Sequence, residues 1–176
     1  MIKKIVVIGP ESTGKSTLCA QLATHYDTLW VPEYAREYLE QRNATYKYED
    51  LAVIARRQLE QEDEMLTQAK QMNAAYLFID TDMYVMKVWS EFVFNKCENE
   101  ILKQIARRQY DGYLLCDVDL PWVRDELREY PDIETRRKLF LYYKEHLVSQ
   151  QTPWCHINGG YDERKEKAIA FANILG

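Results

Sequence analysis

Nine consecutive residues, Gly9-Pro10-Glu11-Ser12-Thr13-Gly14-Lys15-Ser16-Thr17, have the types and spacing to hold a triphosphate. They fit the phosphate-loop pattern G-x-x-x-x-G-K-[S/T], between an apolar run, Ile5-Val6-Val7-Ile8, and a helical pattern. Gly9 and Gly14 let the backbone curl without a Cβ clash, so that successive N–H groups point into one cavity. The positive end of the following helix adds attraction for anionic oxygens. Ser12, Thr13, Gly14, Lys15, Ser16 and Thr17 are thus the candidate ATP contacts, with Lys15 reaching the β- and γ-phosphates. The Ser16 hydroxyl is a candidate Mg²⁺ ligand.

Acids at the ends of apolar runs are the second signal. Asp80 closes Tyr76-Leu77-Phe78-Ile79 and is followed at once by Thr81-Asp82; Glu33 stands beyond Trp30-Val31, and Asp117 beyond Leu114-Leu115-Cys116. In a parallel sheet these ends share one side, so Glu33, Asp80 and Asp82 are expected around the γ-phosphate, with Asp80 also on the metal. Each could instead be a helix N-terminal acid favoured by the macrodipole. A kinase needs a carboxylate to orient the acceptor hydroxyl and take its proton, and spacing leaves open which of the three does so. Glu33-Tyr34-Ala35-Arg36 offers an acid, an aromatic and a cation for an acceptor, unless Glu33 and Arg36 simply pair at the surface.

Pro121-Trp122-Val123-Arg124-Asp125-Glu126-Leu127-Arg128, with Arg136 and Arg137, has the composition of a lid over about 121–137, with Pro121 opening a helix. Its arginines could stabilise charge in a transition state, and Trp122 could face a flat cationic ring. Tyr84, Trp89 and Phe92 are expected to be mainly core. Tyr161, after Asn158-Gly159-Gly160, is the candidate neighbour of the adenine, with Arg164 assisting.

Five apolar runs (2–8, 28–31, 76–80, 113–116 and 154–157) alternate with helical patterns over 15–26, 33–41, 48–72, 82–94, 98–108, 134–149 and 161–175. That alternation predicts an α/β fold, a parallel sheet of about five strands flanked by helices, with ligands at the carboxyl ends of the strands. The charge run Arg56, Arg57, Glu60, Glu62, Asp63, Glu64 reads as a mostly solvated face. The length of 176 residues suits a single domain, and neither a repeat nor a linker interrupts it. A net charge of −5 argues against a nucleic-acid partner. No apolar run approaches the roughly 20 residues of a membrane span. With no signal-like leader and four scattered cysteines, the expectation is a cytoplasmic protein with reduced thiols.

The motifs Gly-Pro-Glu-Ser-Thr-Gly-Lys-Ser (9–16), Glu-Tyr-Ala-Arg-Glu (33–37), Phe-Ile-Asp-Thr-Asp (78–82) and Trp-Val-Arg-Asp-Glu-Leu-Arg (122–128) resemble the ribosylnicotinamide kinase domain of the NadR family, in order and spacing. The resemblance implies a P-loop kinase fold, MgATP as donor and nicotinamide riboside as acceptor, phosphorylated at its 5′-hydroxyl to nicotinamide mononucleotide. It places Lys15 and Ser16 at phosphate and Mg²⁺. Glu33, Tyr34, Arg36, Asp80 and Asp82 fall on the acceptor side, Trp122 at the nicotinamide, and Arg128 and Arg136 in the lid. Full-length members carry an adenylyltransferase domain with a His-x-Gly-His motif, which these 176 residues lack. Conversion of the mononucleotide to NAD is therefore expected of a separate adenylyltransferase, unless these residues are one domain cut from a longer protein. Two further readings stay open: a kinase for another nucleoside or nucleotide, and a nucleotide-dependent switch.

Overall fold

The computed structural model describes all 176 residues. Five parallel strands, β1 (Lys3–Ile8), β2 (Trp30–Val31), β3 (Tyr76–Asp80), β4 (Gly112–Cys116) and β5 (Trp154–Ile157), form one sheet in the order β2-β3-β1-β4-β5. Seven helices cover it: α1 (Lys15–His25), α2 (Tyr34–Glu40), α3 (Tyr48–Gln71), α4 (Met83–Phe94), α5 (Asn99–Arg107), α6 (Ile133–Val148) and α7 (Tyr161–Leu175). No helix is long and apolar enough to cross a membrane.

The central strands are apolar runs because both of their faces are covered. Val6, Ile8, Leu77, Ile79, Tyr113 and Leu115 pack with Leu139, Tyr143 and Leu147 of α6 and with Val85 and Val88 of α4. Ile5, Val7, Phe78, Leu114 and Cys116 take the opposite face against Leu18, Cys19 and Leu22 of α1 and Ala168 and Ala172 of α7. A third cluster joins α2, α3, α4 and α5 around Tyr38, Ile54, Met86 and Ile101. Strand β1 lies between β3 and β4, so the chain leaves it at the point where the sheet order diverges, the usual seat of a ligand in such sheets.

One expectation changes. Residues 121–132 contain no helix, and helical structure in the lid region begins only at Ile133. Pro121 therefore opens no helix. Asp125 instead folds the segment on itself: its carboxylate accepts from the Leu127 N–H at 3.0 Å and its carbonyl from the Arg128 N–H at 3.1 Å. The charge run of α3 is mostly solvated, as expected, with one exception. Glu62 is buried, ion-paired with Lys4 (3.3 Å) and Arg108 (3.0 Å), and accepts from the Tyr110 hydroxyl at 2.8 Å.

Removing the acid would take the carboxylate from Lys4 and the acceptor from the Tyr110 hydroxyl, and leave Arg108 paired with Asp63 alone. Glu62→Ala is expected to destabilise the fold by about 2–3 kcal/mol, the lower part of the range for breaking a buried pair because both cations keep some solvent. Urea unfolding monitored by circular dichroism measures it.

Candidate active site

The loop between β1 and α1 has the backbone its glycines predict. Gly9 has φ 146°, and a Cβ there would lie 2.6 Å from the Cys116 carbonyl oxygen; Gly14, at φ 76°, precedes the first residue of α1. Ser12 also takes a positive φ of 57°. The Thr13 hydroxyl donates to the Pro10 carbonyl at 2.7 Å, and Lys15 Nζ to the same carbonyl at 3.0 Å.

One cavity of about 340 Å³ takes in the whole loop, Gly9 to Thr17. Its other walls are Glu33, Ala35, Arg36 and Leu39 from the β2–α2 turn and α2, Tyr46 before α3, Val85, Trp89 and Phe92 from α4, and Leu127 to Tyr130 from the strap 121–132. Among the expected site residues, those of the loop together with Glu33, Arg36 and Arg128 meet here.

Asp80 is fully buried below the loop, where Ser16 Oγ donates to its Oδ2 at 2.5 Å and its Oδ1 has no partner. Burial, and next the nearby charge of Glu33, pushes its carboxyl up to about 7. A hydroxyl and a carboxylate with an orphaned oxygen, beside a loop of N–H donors, are hard oxygen ligands of the kind Mg²⁺ takes, the rest of its shell being water and phosphate. No cluster of three or more acidic, histidine or cysteine side chains competes as a metal site. The residues present fit Mg²⁺. Thr81, next in sequence, is β-branched with φ 77°, an arrangement that costs about 1–3 kcal/mol and turns the chain sharply between the two aspartates.

Glu33 precedes α2 without capping it, and its carboxylate lines the cavity. Arg36 does not pair with Glu33; it binds Asp125 of the strap at 2.6 Å and Glu40 at 3.3 Å. The Glu33–Asp80 spacing is set by a residue that periodicity does not single out. Gln58 of α3 is buried, accepts from the Tyr34 N–H at 2.8 Å, and donates to the Pro32 carbonyl at 3.2 Å and the Asp80 carbonyl at 3.4 Å. It thereby grips the chain on both sides of Glu33.

Five expected site residues, Asp82, Tyr34, Trp122, Arg136 and Tyr161, lie elsewhere. Asp82 caps α4, accepting from the Tyr84 and Val85 N–H groups (2.9 and 3.4 Å), and takes the Tyr113 hydroxyl at 2.9 Å. It faces a second cavity of about 210 Å³ beneath α4 and α5, and desolvation there raises its carboxyl to about 7. Tyr34 turns its ring toward Tyr38 and Arg57, away from the main cavity. Trp122 lies under the Arg128 and Arg136 guanidiniums, 5.9 and 5.2 Å from its ring centre, and does not reach the cavity. Arg136 is buried, donating to the Ser12 carbonyl at 3.3 Å, so it supports the loop from outside.

Tyr161 stands exposed beside Gly14, on the outer side of the loop. Arg164 is buried and spent on the carbonyls of Thr13 (2.9 Å), Gly159 (2.7 Å) and Asp117 (3.1 Å) and on Asp119, bracing the loop rather than meeting a ligand. Asp117 itself pairs with His156 at 2.7 Å.

The aromatic wall comes instead from Trp89 and Phe92, expected as core, and from Tyr46. The Trp89 indole N–H donates to the Tyr46 hydroxyl at 3.0 Å, their ring centres are 5.0 Å apart, and the same hydroxyl donates to Glu129 at 3.0 Å. Phe92 meets Tyr130 edge to face at 5.4 Å.

Comparison with known proteins places this geometry. Residues 4–164 match the AAA domain family AAA_28. The trifunctional NAD biosynthesis/regulator protein NadR of Salmonella typhimurium is 25% identical over 168 residues, covering 93% of this chain and 40% of that protein. The Escherichia coli protein of the same name is 27% identical over 131 residues, 72% of this chain and 31% of its own length. The chain thus spans less than half of either relative. The structure of a NadR protein in complex with NR superposes with a TM-score of 0.77 at 23% identity, over 99% of this chain and 51% of that one. Thymidylate kinase from Ehrlichia chaffeensis, at 13% identity, gives 0.67 over 99% and 98% of the two chains. The fold is that of the P-loop kinases.

Gln58→Leu removes three hydrogen bonds around the two acids. It is expected to lower stability by about 2–3 kcal/mol, since the Tyr34 N–H and the Asp80 carbonyl lose this partner while the Pro32 carbonyl keeps Gln61. Urea unfolding read against the Gln58→Glu variant, which keeps the acceptor for Tyr34, is the check.

Proposed function

Because the chain belongs to the AAA domain family AAA_28 and folds as a P-loop kinase, we propose that it phosphorylates the 5′-hydroxyl of nicotinamide riboside with MgATP, giving nicotinamide mononucleotide. One observation carries the reading: the phosphate loop and an uncapped glutamate open into the same cavity, whose far wall is aromatic and acidic. The similarity to NadR proteins, solved with NR and with NAD and AMP-PNP, supports both donor and acceptor.

The roles follow from the contacts. The N–H groups of Ser12 to Ser16 and the Lys15 ammonium bind the donor's phosphates, with Lys15 leaving the Pro10 carbonyl to reach them. Ser16 and Asp80 would hold Mg²⁺, which neutralises charge between β- and γ-phosphates when bound. Glu33 is the base: Asp80 is committed to Ser16 and Asp82 to the cap of α4, whereas Glu33 is free to take the proton of an acceptor hydroxyl. Arg128 stands on the strap where charge spreads in the transition state. The Trp89–Tyr46 pair, with Glu129 beside it, suits a pyridinium ring better than Trp122, whose ring already faces two guanidiniums.

A nucleoside monophosphate acceptor, the substrate of the thymidylate kinase neighbour's name, would need a cation for its phosphate. Arg36 is neutralised by Asp125 and Glu40, which favours an acceptor without one.

The test is ADP release by the purified chain with MgATP and nicotinamide riboside, uridine, cytidine, adenosine, thymidine, thymidylate or no acceptor. Release that depends on nicotinamide riboside, with mononucleotide found by mass, is expected. Release with another acceptor moves the substrate, and equal slow release in every well points to a nucleotide switch. Lys15→Ala is expected to abolish transfer with the fold retained. Trp89→Ala should raise the KM for nicotinamide riboside about 3- to 30-fold with the KM for ATP little changed, the size of a cation–π contact of about 0.5–2 kcal/mol. A larger KM effect from Trp122→Ala would reverse the assignment of the ring pocket.

A further inference from the structure

The geometry points to Glu11, inside the phosphate loop, as the positioning residue that latches the strap and holds Arg128 at the donor site. This rests on the kinase reading for its chemistry, but its contacts stand independently of the acceptor. Glu11 Oε2 accepts from the Glu129 N–H at 3.1 Å, and Oε1 accepts from the Tyr130 N–H. The neighbouring Ser12 hydroxyl accepts from the Val123 N–H at 3.1 Å. The strap is thus tied to two consecutive residues of the loop, at 123 and at 129–130, and Arg128 lies between the ties. Its guanidinium closes the ring by donating to the Val123 carbonyl.

A carboxylate in a loop built for polyanions is otherwise a liability, since it repels the phosphates the loop attracts. Burial pushes the Glu11 carboxyl up, and two backbone N–H groups and Lys15 close by offset part of that cost. Charge-assisted bonds of this kind are about twice as strong as neutral ones and shorter. Without the Glu11 contacts the C-terminal half of the strap keeps the packing of Tyr130 against Phe92 and the core edge, and its remaining polar ties to the body are the Arg36–Asp125 ion pair and the Tyr46–Glu129 bond, both exposed. Exposed contacts of that type contribute little. The loop that receives the donor therefore also sets where the transition-state arginine stands, and no ligand is needed to place it.

Three measurements test this on Glu11→Ala, Glu11→Gln, Arg128→Ala and the Glu11→Ala/Arg128→Ala double variant. Limited trypsin digestion at Arg124 and Arg128, read by mass, is expected to run several-fold faster in Glu11→Ala than in the wild type, with Glu11→Gln between them because one acceptor remains. With the acceptor that proves active, kcat should fall roughly 10- to 100-fold in Glu11→Ala, the cost of a misplaced catalytic group, while the KM for ATP changes less than about threefold. In the Arg128→Ala background the same substitution should cost less than about twofold, because Glu11 acts through that arginine. Unchanged cleavage, or losses that multiply in the double variant, would overturn the latch. Should Glu11→Ala not fold by circular dichroism, the cleavage and kcat readings on Glu11→Gln decide by the same signs. The digestion needs no acceptor, so a wrong substrate assignment leaves it intact, whereas a failed latch shows there even with nicotinamide riboside turned over.

Discussion

The parallel register of β1 and β3 sets Val7 against Asp80, and the cavity is built on that pairing. Gly9 follows Val7 by two residues, so the last carboxylate of β3 lies directly beneath the loop that leaves β1. Once there it has no water, and burying an ionised carboxylate without a partner is costly. Part of the cost is met by the Ser16 hydroxyl and the field of Lys15. The rest shows as a carboxyl raised to about 7 and an oxygen without a hydrogen bond. Buried orphan acceptors are rare in stable folds, and one placed under a phosphate loop is a position where a cation would lower the energy of the chain itself.

The fold was legible because the strands are buried on both faces and so appear as unbroken β-branched and aromatic runs closed by an acid. The helices before and after them could be placed by their polar gaps and glycines. The strap could not. Residues 121–132 carry the charge density and opening proline of a surface helix, yet their backbone bonds go to Asp125 and to the phosphate loop. Those partners are more than a hundred residues away in the case of Glu11 and Ser12, beyond what local propensity can register. Pro131 reinforces the outcome, since the residue before a proline is driven toward extended backbone.

The site divides in the same way. Loop residues, Asp80 and Glu33 are placed by motif and by strand ends. Gln58 and Glu62 were hidden because a polar residue on the inner face of α3 looks like a gap in the apolar stripe, when both are buried partners of distant groups. Trp89 and Phe92 were assigned to core because α4 is apolar on more than one side. Met83, Val85, Met86 and Val88 enter the core, while Trp89 and Phe92 pack against its edge and at the same time line the cavity. Trp122 carries the opposite lesson: a tryptophan beside arginines in sequence was free to meet a ligand only if those arginines did not already occupy it.

The disposition of charge limits what the acceptor side can hold. Arg36 answers Asp125 and Glu40; Arg164 answers Asp119; Arg136 is buried against Ser12 and Trp122. Arg128 is directed by the strap to the loop end of the cavity, where Lys15 and the N–H groups already favour a polyanion. Glu33 and Glu129 line the same cavity, together with the rings of Tyr46, Trp89 and Phe92. A second phosphate would have to approach two carboxylates with Arg128, already donating to the Val123 carbonyl, as the one guanidinium in the cavity without an ion pair, and like charges at a few ångströms repel strongly where water is scarce. An uncharged sugar hydroxyl against Glu33 meets no such barrier, and a ring bearing positive charge gains from both the acids and the indole.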